Sequence, residues 1–170
     1  VSLNLGIKEK TIKNALKKFM GIQRRFTHIF SYQKKDFYDD YAHHPTEIKS
    51  VLESVKAVYK KRKIISVFQP HRYSRVKSLK EEFSKSFLDS DEVVLCPVYA
   101  AGEKIDKKFN LFNFGQKISK NSKQQVVIVN DKTELMKYFI RNLIDDEIII
   151  CMGAGSISSW LREIALDLKI

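Results

Sequence analysis

Asp39-Asp40-Tyr41-Ala42-His43-His44-Pro45-Thr46-Glu47 is the stretch of this 170-residue chain from which its fold is read. Ahead of it Phe37-Tyr38 close a short apolar strand, and behind it Ile48, Val51, Leu52, Val55 and Val58 keep the three-and-four spacing of one buried helical face. Pro45 suits a first helical turn, where no backbone donor is missed, which puts His44 at the cap. Two carboxylates, a phenol and two imidazoles are thereby gathered at a strand-to-helix crossover. In open α/β sheets the crevice at the carboxyl ends of the strands is where ligands bind. Turn and cap chemistry would account for a lone Asp-Asp or His-Pro pair. A run in which Ala42 is the one plain filler needs more, because buried polar groups cost stability unless each has a partner.

Working outward, the elements alternate. The pattern predicts extended chain from about residue 26 to Tyr32, a strand over 37–40, a helix over 45–60, a strand over 64–69 and a helix over 74–90. It continues with a strand over 92–98, a less regular helical stretch over 109–120, a strand over 125–129, a helix over 132–144, a strand over 147–152 and a helix over 156–168. Ile64-Ile65-Ser66-Val67-Phe68, Val126-Val127-Ile128-Val129 and Ile148-Ile149-Ile150-Cys151 are apolar on both faces, as a parallel sheet covered by helices demands. Stripes such as Val76, Leu79, Phe83 and Phe87, or Ile157, Trp160, Leu161 and Ile164, supply the covers. The fold class is α/β: a doubly wound, mostly parallel, Rossmann-like sheet flanked by helices.

Ile12, Ala15, Leu16, Phe19 and Met20 form an amphipathic stripe before all this, with Gly21 where a helix ends. Residues 1–21 are therefore expected to be the helical tail of a preceding domain, with a junction at Ile22-Gln23-Arg24-Arg25 and one further domain over 22–170.

Composition narrows the function. No apolar run is long enough to cross a bilayer and no signal peptide opens the chain, so a cytoplasmic location is expected. Cys96 and Cys151 each sit inside an apolar strand, which suits buried thiols better than a disulfide, and neither they nor the adjacent His43-His44 have metal-ligand spacing. The net charge of +11 raises nucleic acid as a partner, but the lysines are scattered over helix faces (Lys8, Lys10, Lys13, Lys17; Lys60-Lys61) with no recognition helix or stacking signature. The expectation is no nucleic acid and no membrane, although phosphorylated ligands would gain from the field.

Three further strand ends carry unusual chemistry. Gln69-Pro70-His71-Arg72-Tyr73-Ser74-Arg75 brings two guanidiniums three residues apart to the start of a helix, suited to a planar grip on carboxylate or phosphate. Tyr99-Ala100-Ala101-Gly102-Glu103 offers small residues that let backbone approach a ligand or a neighbouring loop. Met152-Gly153-Ala154-Gly155-Ser156-Ile157 feeds a helix, and its glycines would let successive amides face an anion. It lacks the Lys-Ser/Thr ending of a nucleoside-triphosphate loop and the third glycine of the dinucleotide fingerprint.

Taken together, Asp-Asp-Tyr-Ala-His-His-Pro-Thr-Glu, Phe-Gln-Pro-His-Arg-Tyr-Ser-Arg, Val-Tyr-Ala-Ala-Gly-Glu and Gly-Ala-Gly-Ser-Ile, in this order, resemble the C-terminal domain of the Mur ligases. The branch they resemble is the one that joins L-alanine to UDP-N-acetylmuramate. The resemblance covers essentially the whole chain, with Arg24-Arg25-Phe26 at the family's interdomain junction and Ala42 where the family often has Gly. The tripeptide-recycling murein ligase shares a similar Asp-Asp segment, whereas His71-Arg72-Tyr73-Ser74-Arg75 looks like the alanine-adding branch.

What the resemblance implies is ATP-dependent amide-bond synthesis in peptidoglycan assembly, through an acyl phosphate on the substrate carboxylate, with Mg²⁺ and the phosphates held mainly by the N-terminal and central domains. Those domains are the implied partners, this chain has no Gly-Lys-Thr loop, and alone it is expected to be inactive. By the same resemblance Arg25 reaches ATP as the domains close, Asp40 binds the nucleotide ribose, and Tyr41, His43 and His44 line the meeting place of nucleotide and amino acid, with His43 favoured for catalysis. Arg72 and Arg75, with Tyr73 beside them, grip the alanine carboxylate, and Gly153, Gly155 and Ser156 border the cleft. The remaining alternatives are a free-standing nucleotide-binding domain and a basic nucleic-acid-binding module.

Overall fold

A computed structural model describes residues 1–18 and 22–168. It contains a six-stranded sheet in the order β1-β2-β6-β3-β4-β5. The strands are β1 (Thr27–Tyr32), β2 (Lys35–Asp40), β3 (Lys63–Phe68), β4 (Glu92–Leu95), β5 (Gln125–Ile128) and β6 (Glu147–Met152), and all pairs are parallel except β1 with β2. The doubly wound, mostly parallel α/β sheet read from the pattern is the observed architecture. Its antiparallel edge is a hairpin closed by Gln33 and Lys34, both at positive φ (48° and 61°), as a two-residue turn of matching twist requires.

Helices α2 (Pro45–Val58), α3 (Tyr73–Ser78), α4 (Lys80–Ser84) and α5 (Leu111–Ser122) cover one face; α6 (Lys132–Arg141) and α7 (Ile157–Asp167) cover the other. The strands alternate between them. Ile64, Phe68, Ile148, Ile150 and Met152 join the first core with Ile48, Leu52, Phe83 and Phe114. Ile65, Val67, Ile149 and Cys151 join the second with Leu135, Phe139, Leu161 and Ile164. Strand β6, last in sequence, lies between β2 and β3, and every one of its residues is buried. Each such aliphatic side chain contributes on the order of 1.5–3 kcal/mol by leaving water.

Several predicted boundaries shift, for local reasons. The helix expected over 74–90 breaks at Leu79 into α3 and α4 and ends in turns, a stretch along which serine hydroxyls bond to nearby carbonyls: Ser78 to Ser74 and Arg75, Ser84 to Glu81, Ser86 to Glu82. The strand expected to reach 98 stops at Leu95, two residues before Pro97, which has no ladder donor. The strand expected over 37–40 begins at Lys35, and α5 runs from its Asn110 cap to a left-handed Lys123. At the start of the chain α1 (Glu9–Lys18) is helical; Phe19, Met20 and Gly21, counted above in its stripe and stop, lie outside the described residues.

The register places the site. Asp40 pairs with Met152, and Met152 with Phe68, so the segments after β2, β6 and β3 leave the sheet at one level. Beside β3, Leu95 of β4 pairs with Phe68, bringing the segment after β4 to the same edge.

Candidate active-site edge

The segment after β2 is held by short-range polar bonds. Asp40 accepts from the amides of Ala42 and Phe26, both at 2.7 Å, tying the junction to the strand end. Burial of its carboxyl pushes its pKa above the usual range, against those two amides. His44 caps α2, its Nδ1 accepting from Thr46 at 3.4 Å, while Glu47 takes the amides of His43 (3.0 Å) and His44 (3.1 Å). That is why Glu47 ionises more readily than an ordinary glutamate despite partial burial. The His43 Nδ1 lies 2.9 Å from the Tyr41 carbonyl, which can only accept, so Nδ1 carries the proton and Nε2 remains for a ligand.

The segment after β3 crosses to β4 through a bridge between His71 and Tyr99: the Arg72 amide donates to Tyr99 O (2.9 Å) and the Tyr99 amide to Pro70 O (2.8 Å). Tyr41, His43, His71 and Tyr99 then form a row of rings along the edge, with successive centroids 5.1, 5.7 and 5.7 Å apart. The Nδ1 of His71 is buried without a partner, as is Nη1 of Arg75. Burial first, and then the charges of Arg75, His43 and Arg72, hold the His71 pKa below the ordinary imidazole value. Arg72 is exposed, and among the described residues neither it nor Arg75 has a salt bridge. Tyr73 meets Phe109 edge-on at 5.6 Å, which gives its ring a packing role.

The Gly153–Ser156 turn is tied back to the strand ends beside it. The Gly153 amide donates to Asp40 O (3.2 Å) and that of Ile157 to Oε1 of Gln69 (3.0 Å), so these donors are consumed within the protein. Its glycines also leave room for close neighbours. Gly153 has φ +154° and a Cβ there would lie 2.9 Å from the Gln69 carbonyl; one on Gly155 would meet Gln69 Oε1 and the Tyr99 ring at 2.5 Å. Ser156 accepts from the Gln69 amide at 3.0 Å. Gln69, buried and unremarkable in sequence, is the hub of this turn.

At the junction the two arginines diverge. Arg25 is exposed and, with Phe26, Asp40, Val51, Val55 and Tyr59, lines a cavity of about 470 Å³ against the outer side of α2. Arg24 turns inward: Nη2 donates to Gly153 O at 2.5 Å, Nε lies 3.8 Å from Asp39, and the guanidinium stands 4.7 Å over the Tyr41 ring. Asp39, fully buried, also takes Ser158 (2.6 Å) and Arg162 (3.0 Å) of α7. The inward role of Arg24 and the part of Gln69 as the hub of the turn were not read from the sequence. The only signal was their position beside strand ends.

Asp40, Arg72 and Gly155 thus share one edge, where exposed Arg72, half-buried Arg75 and the imidazoles of His43 and His71 lie together. No group of three or more His, Cys, Asp or Glu that could hold a metal ion occurs among the described residues. No described helix is long and apolar enough to cross a membrane.

Residues 24–155 match the model of the Mur ligase, glutamate ligase domain, and the chain belongs to that family. Its relatives include the UDP-N-acetylmuramate–L-alanine ligases of Pelagibacter ubique (49% identity over 96% of this chain and 35% of the relative) and Rickettsia felis (40%, over 96% and 34%). The crystal structure of the UDP-N-acetylmuramate–alanine ligase of Thermotoga maritima superposes with a TM-score of 0.79 at 27% identity, covering 99% of this chain and 35% of that one. A murein peptide ligase from Psychrobacter arcticus shares the fold (TM-score 0.70, 20% identity, over 98% and 34%). The chain spans about a third of the length of the relatives it matches.

Proposed function

We propose that residues 22–168 form the C-terminal domain of an ATP-dependent ligase that joins L-alanine to UDP-N-acetylmuramate in the cytoplasm, and that residues 1–21 end the domain before it. The observation that carries this reading is the Arg72–Arg75 pair, whose guanidiniums keep donors free next to His43 and His71 on the shared edge. Planar donors of that kind suit a carboxylate, and the alanine-adding relatives at 37–49% identity favour alanine over the tripeptide of the recycling ligase.

In this reading Arg72 and Arg75 hold the alanine carboxylate, and the free Nε2 of His43 accepts a proton from its ammonium so that the amine can attack an activated acyl group. Arg25, exposed on the cavity wall, meets the nucleotide of ATP. Asp40 shapes that wall, holding Phe26 and Ala42 while offering its remaining lone pairs to a ribose. Tyr41 and His44 flank the passage, and Gly153, Gly155 and Ser156 keep the floor thin enough for close approach. The acyl phosphate and any Mg²⁺ belong to the domains beyond this chain, and selection for alanine over larger amino acids comes from exclusion of bulk. The domain acts as a lid that swings at residues 22–25.

The test is kinetic. In the full-length ligase, Arg72→Ala should raise KM for L-alanine at least tenfold, about 1.4 kcal/mol, with KM for ATP unchanged; an unaltered KM for L-alanine removes the assignment.

A further inference from the structure

Arg72 is the N-cap of α3 and sits at φ 69°, a positive value that a non-glycine residue seldom adopts and holds only where its surroundings fix it. An N-cap side chain ordinarily accepts from the amides of the first turn, but a guanidinium has donors only, and Arg72 makes no capping bond. The acceptor comes from another loop. Glu103 takes the Ser74 amide on Oε2 at 3.2 Å and the Ser74 hydroxyl on Oε1. The Tyr73 amide adds to the same carboxylate, which ionises below the usual glutamate range.

The loop is shaped for this. Ala101 and Gly102 have φ of 50° and 87°, two left-handed residues in succession that turn the chain back on itself. A Cβ on Gly102 would meet nothing within 4 Å, so glycine is there for its backbone and not for space. The loop is stapled to the α3 side by the His71–Tyr99 bridge at one end and by the Lys77–Asp106 ion pair at the other. Glu103 is near enough for Arg72 to act on its charge, yet no hydrogen bond joins them.

We propose that Glu103 is a positioning residue for the Arg72–Arg75 pair: it caps α3 from the neighbouring loop, so that Arg72 is held at its positive φ while both guanidiniums stay open to a carboxylate. The proposal rests on the reading of that pair as the carboxylate grip. An arginine pair whose helix start is secured by a third group does not reorganise on binding, and preorganised donors lose less free energy to ordering.

The experiment uses the full-length ligase, with KM for L-alanine, KM for ATP and kcat measured for Glu103→Ala, Glu103→Gln and Arg72→Ala. Glu103→Ala should raise KM for L-alanine about tenfold while KM for ATP and kcat stay within twofold. Glu103→Gln, which keeps an acceptor oxygen, should stay within threefold throughout. If Arg72→Ala raises KM for L-alanine and Glu103→Ala does not, the positioning role is overturned and the grip stands; an equal defect in the Ala and Gln variants overturns it too, since charge rather than capping would then be at work. If Arg72→Ala is silent, the grip itself falls and the role of Glu103 with it. Should Glu103→Ala fail to fold, Ser74→Ala removes the hydroxyl half of the tie and should raise KM for L-alanine about threefold, with no change overturning the proposal.

Discussion

Arg62 at the N-terminal end of the sheet and the Arg72–Arg75 pair at the C-terminal end are treated in opposite ways. At the N-terminal end Arg62 is spent: Nη1 meets Asp36 at 2.5 Å, Nη2 donates to Glu147 O at 2.9 Å, and Nε lies 2.9 Å from Asp146. Asp36 is correspondingly acidic, chiefly through its bond from Ser31 and then through Arg62. Nearby, Asp91 accepts from the Ile64 amide and pairs with Lys56. At the C-terminal end Arg75 keeps a buried nitrogen unpaired, His71 keeps its Nδ1 unpaired, and Arg72 faces solvent beside them. One end closes its polar groups on each other and holds the hairpin to the sheet. The other holds the backbone with its carboxylates and amides and leaves cations for something else, at a cost that a ligand would offset.

The largest expected effect tests this contrast directly. Arg62→Ala should destabilise this chain by about 2 kcal/mol, because it takes a charged donor from half-buried Asp36 and from the carbonyls of Lys34 and Glu147. Arg75→Ala should cost less than about 0.5 kcal/mol or even stabilise. Urea unfolding of both variants measures it, and equal losses would dissolve the distinction between the two ends.

Next in size is Gly155→Ala. A methyl group there would collide with Gln69 and Tyr99 within 2.5 Å, so the variant should lose about 1–3 kcal/mol by the same assay. A neutral outcome would mean the turn is loose enough to open toward a ligand.

The smallest effect is in pH. The folded protein holds His71 below the ordinary imidazole pKa, so as pH falls through about 6.5 the unfolded chain takes up a proton before the folded one does. Stability therefore rises with pH in that window and is lost as pH falls toward the lowered folded value. Arg75, His43 and Arg72 press the pKa down and Glu103 opposes them. His71→Gln should lose less stability than the parent chain between pH 7.5 and 5.5; an identical loss would show that His71 is not held neutral.

Much of the fold was legible because its causes are local. Doubly apolar runs such as Ile148-Ile149-Ile150 can only be strands covered on both faces, and Pro45 with Glu47 marks the start of α2 with His44 as its cap. The helix expected over 74–90 is broken at Leu79, which apolar periodicity does not register, since Val76 and Phe83 stay buried on the same face across the break. The site was legible as a set of strand ends rich in polar residues. What each residue packs against was less so: the glycines near β6 make room for Gln69 and Tyr99, and Arg24 holds the junction to Gly153 and Asp39.

Sequence alone determined the alternation of elements, the helix cap and the gathering of acids, imidazoles and arginines at strand ends, since these follow from side-chain period and backbone chemistry within a few residues. Only the tertiary structure decided that the last strand enters the middle of the sheet, so that Asp40, Phe68 and Met152 end level. It alone decided, too, which cations are consumed by carboxylates far away in sequence and which remain free. Hydrogen-bond partnership across 26 to 129 residues is a property of register and packing, and no local pattern encodes it.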